Sequence, residues 1–430
     1  MRKFFRSILL VIILFHLAVI EAKTGYNLMK YNTIRIASVD WFSNLSKHES
    51  DFLPIVKQMG YNYIFALFKV QKLSKMQEVF ERAFILSEKH ELRLIPCISL
   101  ISCYSSSWSE LGKQYPDFEM NLIEAKNRNG DISLYGMPSL VGEERSRLGV
   151  DSAFCDVIRT LKRAHRNSKA KYPLEFIHLG VDEPFFYNYC LIGGVPNGKI
   201  RGKGFAILNN SHRQFSFSDR AYIRDKIKKS QTASSAFQSL IVLSLFKKIH
   251  LLHRNLNSNI KIMLWADIWD PQQNGKGIFD YHTKLVTFLG SKRVVKFTPG
   301  IISLPGLSEQ QKKIFKDNTI LIPWEYFNKT KINETLKYDE TETFRLFSSH
   351  GFKFLYAHTI YSFDNFNSPS SQKQGIEWHN ASLRFKSHCL GYHACWFGKI
   401  GKKAIESLRF TSEVNSSHIP EKAFFENTDK

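Results

Sequence analysis

The chain has 430 residues, 43% of them apolar and 14% aromatic, with 23 glycines and 13 prolines. It can bury a large core, which excludes a disordered chain as well as a collagen-like or linker-dominated one. Lys and Arg outnumber Asp and Glu by 60 to 39, a formal net charge of +21 that excludes an acidic protein without naming a partner.

At the start of the chain, Arg2, Lys3 and Arg6 precede an apolar run from Ile8 to Ile20 that contains His16, and the small residue Ala22 follows. This layout predicts a secretory signal peptide over 1–22, cleaved after Ala22. The run is short against the roughly 20 residues needed to span a bilayer, an uncleaved anchor being the alternative. No later segment is long and apolar enough to span, so no stable membrane anchor is expected, and 23–430 is expected to be one secreted or lysosomal domain. Sequons at Asn44, Asn209, Asn328, Asn333, Asn380 and Asn415 agree with that compartment. Cys97, Cys103, Cys155, Cys190, Cys389 and Cys395 allow many disulfide connectivities, among which the sequence does not choose. No CxxC or HExxH spacing occurs, so neither a metal nor a cofactor is expected.

Past the signal, short β-rich apolar runs alternate with amphipathic helical stretches. The runs are 33–42, 61–70, 92–100, 175–183, 261–269, 319–327, 353–361 and 391–397. Between them, Phe52, Ile55, Val56 and Met59 share one helical face, as do Val79, Phe80, Ala83, Phe84 and Leu86. The same spacing recurs in Ala153, Val157, Ile158 and Leu161, and in Phe237, Leu240, Ile241, Leu245 and Ile249. Eight such units predict an α/β fold, a (β/α)8 TIM barrel, with these stripes as its packing. Two stretches exceed a minimal barrel, about 101–150 and 184–232. Both follow strand C-termini, where barrel enzymes build their sites, so they read as long βα-loop insertions that shape a substrate cleft. The stretch 294–310 reads as a loop or a rival strand and leaves the place of the sixth strand open.

The strongest local signal is FIHLGVDEPFF at 176–186, an apolar strand ending in the adjacent carboxylates Asp182 and Glu183, with Pro184 next. Two acids at a buried strand end are costly unless used or paired. Alternation sends neighbouring side chains to opposite faces, so both acids reach one site only if the chain turns here. Pro184, which cannot donate to a ladder, suits such a turn. The alternative is structural pairing of both acids with barrel lysines or backbone amides.

With His178, Gly180, Asp182 and Glu183 in this order, the segment resembles the His-x-Gly-x-Asp-Glu strand of glycoside hydrolase family 20, the β-N-acetylhexosaminidases. Later strand ends extend the resemblance. Trp265 and Asp267 stand in a Trp-x-Asp arrangement, Trp324, Glu325 and Tyr326 stand where the family has Trp-Asp-Tyr, and Trp396 lies near the end of the last strand. Order and approximate spacing match from about residue 33 to 400, and the chain looks most like the hexosaminidase D type, which is nearly all barrel.

The resemblance implies an exo-β-N-acetylhexosaminidase that releases terminal GlcNAc or GalNAc from a glycan or glycoconjugate. Its route is substrate-assisted and retaining: the 2-acetamido oxygen attacks the anomeric carbon, and no enzyme carboxylate becomes glycosylated. Glu183 would be the general acid and then the base, while Asp182 would hold the acetamido N–H. Repulsion between the adjacent carboxylates helps keep Glu183 protonated while Asp182 ionises. On the substrate-binding side, Trp265, Trp324 and Trp396 would wall the acetamido methyl and the sugar's apolar face, a task that suits a flat ring with one donor. Tyr326 would bond the acetamido oxygen, Asp267 would bind a hydroxyl or support the acid, and Glu325 stands beside them. His178 is either an orienter behind the site or a satisfied core residue.

The chain departs from the family at the third strand, where Cys103 and serines stand in place of a Gly-His pair. It departs again at the first, which ends Asp40-Trp41 without a clamping arginine. These departures bear on hydroxyl recognition and support a second reading, a carbohydrate-binding barrel without turnover. A third is another retaining β-glycosidase with Glu325 as nucleophile, for which the carboxyls would lie about 5 to 5.5 Å apart. Nucleic acid is not an expected partner, since the charge is spread along the chain without a binding module. The sequence does not give the oligomeric state.

Overall fold

A computed structural model describes residues 34–41, 52–101, 107–118, 120–126, 132–138, 144–181, 201–202, 205–209, 233–257, 259–270, 302–324, 340–358, 369–394, 405 and 408–413. Eight parallel strands close into a barrel in chain order: β1 (Ile34–Trp41), β2 (Tyr63–Leu67), β3 (Arg93–Ile101), β6 (Phe176–Gly180), β9 (Lys261–Trp265), β10 (Thr319–Ile322), β11 (Lys353–His358) and β12 (Cys389–Ala394). All eight predicted runs become barrel strands. The seam is closed by β12 against β1, in the register Ile34 to Gly391 and Ile36 to His393. This is the predicted (β/α)8 TIM barrel.

Strand alternation sorts the side chains into two layers of core. Inside the barrel lie Ile34, Ile36, Tyr63, Phe65, Ile95, Cys97, Met263, Trp265, Ile320, Ile322, Leu355 and Ala357. The opposite faces, such as Ile177 and Leu179 of β6, pack against the surrounding helices. Those helices are α1 (Leu53–Gln58), α2 (Leu73–Lys89), α4 (Glu144–Asn167), α5 (Ala233–Asn255), α6 (Glu309–Asp317), α7 (Glu340–Ser349) and α8 (Pro369–Leu383), with the short α3 (Trp108–Gly112) after β3. In α2 the buried stripe is Met76, Phe80, Ala83, Phe84 and Ser87, a helical spacing that faces the barrel. A capping box starts α6: the Ser308 hydroxyl accepts from the Gln311 amide, and the Gln311 side chain accepts from the Ser308 amide.

Polar groups close the end of the barrel opposite the strand C-termini. The Arg93 guanidinium reaches Glu175 at 2.8 Å and the Tyr63 hydroxyl at 3.2 Å, and it lies over the Tyr172 ring. Burial and the Glu175 carboxylate both push the Tyr63 phenol up, so it remains a neutral donor. Between α4 and α5, the buried Lys248 ammonium is paired with Asp151. Burial lowers its pKa, and Asp151 opposes that shift by favouring the charged form.

The structure decides one open alternative and corrects two expectations. The stretch 294–310 is no rival strand in its described part, which holds a 3₁₀ turn at 302–303 and a left-handed Gly306, so the sixth strand is Thr319–Ile322. Regular pairing also stops earlier than the apolar runs: β6 ends at Gly180 and β10 at Ile322, where Pro323 interrupts the ladder. The stretch 101–150 is more ordered than its weak periodicity predicts. It carries β4 (Met120–Lys126) and β5 (Ile132–Pro138), and the helix α4 already starts at Glu144. From the second insertion come β7 (Arg201–Gly202) and β8 (Phe205–Asn209), and the four strands form one antiparallel sheet in the order β5-β4-β8-β7. Trp108 is fully buried core, its indole N–H donating to the Ser99 carbonyl at 2.7 Å. Among the described cysteines, Cys155 and Cys389 are free thiols.

Candidate functional site

The site predicted from sequence lies at the C-terminal ends of β6, β9, β10 and β12, and the described residues include part of it. His178, Trp265, Asp267 and Trp324 are described, whereas Asp182, Glu183, Glu325, Tyr326 and Trp396 lie outside the described residues.

Two motif residues separated by 57 positions meet at this mouth: the Trp324 indole N–H donates to Asp267 Oδ2 at 2.7 Å, and both side chains are buried. The alternation explains why. Asp267 follows Trp265 with the same parity on the β9 line, and Trp324 follows Ile322 on the β10 line, so both continue the barrel's inward face. Trp324 is still tied to the sheet by a bridge to Ala357 of β11. Asp267, which the resemblance assigns to a sugar hydroxyl or to the acid, therefore also fixes the plane of an indole.

Below this pair lies an aromatic and imidazole cluster. Trp265 stacks on His393 with ring centres 5.3 Å apart and planes 9° apart. His178 meets Trp265 at 4.9 Å and Phe65 edge-on at 5.1 Å. Phe65 also lies 5.0 Å from His393. His393 and Phe65 were missed in the sequence. The signal for His393 is its parity within GYHACWF, which places it inward and opposite Ile36 in the closing register.

Burial holds both imidazoles neutral. It lowers His178 well below the ordinary histidine range, with repulsion from His393 adding to it, and it takes His393 down to about 3. The unfolded chain takes up these protons near pH 6.5, so the folded-state pKa values lie below the unfolded ones. Their contribution to stability is present above pH 6.5 and is lost as pH falls towards 3. The expected loss is on the order of 2 kcal/mol for His393 between pH 6.5 and 5, and His178 adds to it in the same direction. Urea midpoints at pH 7 and pH 5 measure it, and His393→Phe should remove part of the difference. Equal midpoints in the unmodified protein would contradict a neutral interior.

The strand end that leads to the acid pair has unusual backbone. Gly180 and Val181 both adopt positive φ, +79° and +74°. Glycine tolerates this region, but a β-branched valine there is strained and persists only where the surroundings hold it. Val181 is fully buried, and the Gly180 amide donates to His178 Nδ1 at 3.0 Å. The chain therefore turns before Asp182, two residues earlier than Pro184 suggests.

No protein-family model and no curated protein matches the chain. Among solved structures, the catalytic domain of a β-amylase from Paenibacillus polymyxa is similar over 90% of this chain and 99% of its own, with a TM-score of 0.50 and 11% identity. A β-N-acetylhexosaminidase is similar over 90% of this chain and 72% of its own, with a TM-score of 0.46 and 9% identity. A glycoside hydrolase family 20 β-N-acetylglucosaminidase is similar over 90% and 69%, with a TM-score of 0.42 and 10% identity. At these identities the likeness is one of fold, and the chain is a (β/α)8 barrel.

Proposed function

We propose that the protein is a β-N-acetylhexosaminidase of the family 20 kind, closest to the hexosaminidase D type, acting on terminal GlcNAc or GalNAc of a glycan. The observation that supports the reading most is the Trp324–Asp267 hydrogen bond, because it joins two of the motif's residues at the ends of the neighbouring strands β9 and β10. The left-handed turn at Gly180 and Val181 supports it too, since it immediately precedes the two acids in the chain. Glu183 serves as acid and base, Asp182 orients the acetamido group, and Trp265, Trp324, Trp396, Asp267, Glu325 and Tyr326 surround the sugar. The same reading makes 1–22 a removed signal and 23–430 a single secreted or lysosomal barrel domain, so N-terminal sequencing of secreted protein should begin at Lys23.

The test is turnover of chromogenic β-GlcNAc, β-GalNAc and β-glucose substrates across pH 4 to 7. Cleavage of an N-acetyl substrate but not of the glucoside is the expected result, because the attacking oxygen belongs to the acetamido group. Equal cleavage of the glucoside would favour the reading in which Glu325 is the nucleophile.

A further inference from the structure

The His178 ring has one nitrogen engaged and one not. Nδ1 accepts the Gly180 amide at 3.0 Å and lies 3.5 Å from the Cys97 sulfur. An accepting Nδ1 in a neutral ring leaves the proton on Nε2. Nε2 is buried and has no hydrogen-bond partner among the described residues, beside Phe65 and Trp265. A satisfied core histidine would use both nitrogens, and leaving a buried N–H unmade is unfavourable. The ring is thus placed for its Nδ1 side. The Gly180 amide belongs to the last residue of β6, where the ladder ends, and the next residue holds a strained left-handed valine.

We propose that His178 is a positioning residue: by accepting the Gly180 amide it holds the left-handed Gly180–Val181 turn that immediately precedes Asp182 and Glu183 in the chain. The inference rests on the hexosaminidase reading only for the role of those two acids; the turn lock itself is independent of it. Displacing a reacting group by about 1 Å can cost about 10²-fold in rate, so a turn that sets where two carboxylates emerge bears directly on turnover.

Packing and positioning predict opposite rankings of substitutions. His178→Asn keeps an acceptor near the Nδ1 position but leaves a void, whereas His178→Leu fills the void and removes the acceptor. If the acceptor matters, the Asn chain keeps kcat within about tenfold and the Leu chain loses about 10²-fold, with KM within about threefold in both. Backbone amide exchange of the 176–183 segment should accelerate in the Leu chain and stay near the unmodified rate in the Asn chain. Should the Leu chain not fold, selective ¹⁵N-histidine spectra of the unmodified protein still decide, with the His178 signal identified by its loss in the Asn chain. A proton on Nε2 supports the lock, and a proton on Nδ1 overturns it. A Leu chain that matches or exceeds the Asn chain in kcat, or that leaves the exchange unchanged, also overturns it. Absence of turnover in the unmodified protein would instead refute the hexosaminidase reading, leaving exchange and tautomer to judge the lock.

Discussion

Glu183→Gln is expected to abolish cleavage of an alkyl N-acetyl-β-glucosaminide while slowing an activated nitrophenyl glycoside far less. A glutamine cannot protonate the leaving oxygen, and nitrophenolate departs without much proton assistance. Asp182→Asn is expected to behave differently. In the proposed mechanism Asp182 serves the acetamido group in the first step whatever the leaving group, so both substrates should slow by a similar factor, about 10² to 10⁴. Comparing kcat/KM for the two substrates in each variant separates the roles, since the ratio isolates what each residue does for the transition state. If Asp182→Asn discriminated between the leaving groups as Glu183→Gln does, the assigned division of labour would be wrong.

Gly391→Ala should be the most damaging single-methyl change in the barrel. Gly391 adopts φ +149°, and a Cβ there would lie 2.0 Å from the Ile34 carbonyl oxygen, across the seam where β12 closes on β1. The adjacent register also shifts, Phe354 opposing Cys389 and Leu355 opposing Gly391, so the glycine follows a bulge where two backbones come close. Backbone oxygen cannot move aside as a flexible side chain does. The expected cost is about 3 to 5 kcal/mol, from strain and from opening the seam together. Gly351→Ala is the control. It too sits at positive φ, +76°, but its added methyl meets only Lys316 Cδ at 3.8 Å, so backbone strain alone applies, about 1 kcal/mol. Denaturant midpoints of the two variants check the contrast, and equal losses would remove the case for a closely approached seam.

The barrel was legible in the sequence because its strands are short apolar runs buried on both faces and separated by helical periodicity. Each of the eight runs carries enough β-branched and aromatic residues to stand out. Their ends were not legible. Val181 is a strand former by propensity, yet it adopts φ +74° because a buried side chain and the His178–Gly180 bond hold it there, a tertiary effect that no local pattern carries. Likewise the second sheet depends on β4 pairing with β8, strands far apart in sequence, and Glu124 lies opposite Asn209 through a register that only the fold provides. The site was legible where parity did the work. Asp267 and Trp324 continue the inward faces of β9 and β10, and their hydrogen bond follows. His393 was overlooked because a histidine between Tyr and Ala in a strand carries no motif, although its inward parity made it a barrel-filling residue.

The proposed mechanism requires a sugar whose own acetamido group attacks the anomeric carbon. Calorimetric binding of a thiazoline analogue of the cyclised intermediate, set beside GlcNAc, tests it most directly and needs no knowledge of the natural glycan. The account predicts that the thiazoline binds the unmodified protein at least about 10²-fold more tightly than GlcNAc, as ligands resembling the transition state do. Binding of GlcNAc with no preference for the thiazoline, and no turnover of any N-acetyl-β-hexosaminide, would contradict it and make the protein a carbohydrate-binding barrel.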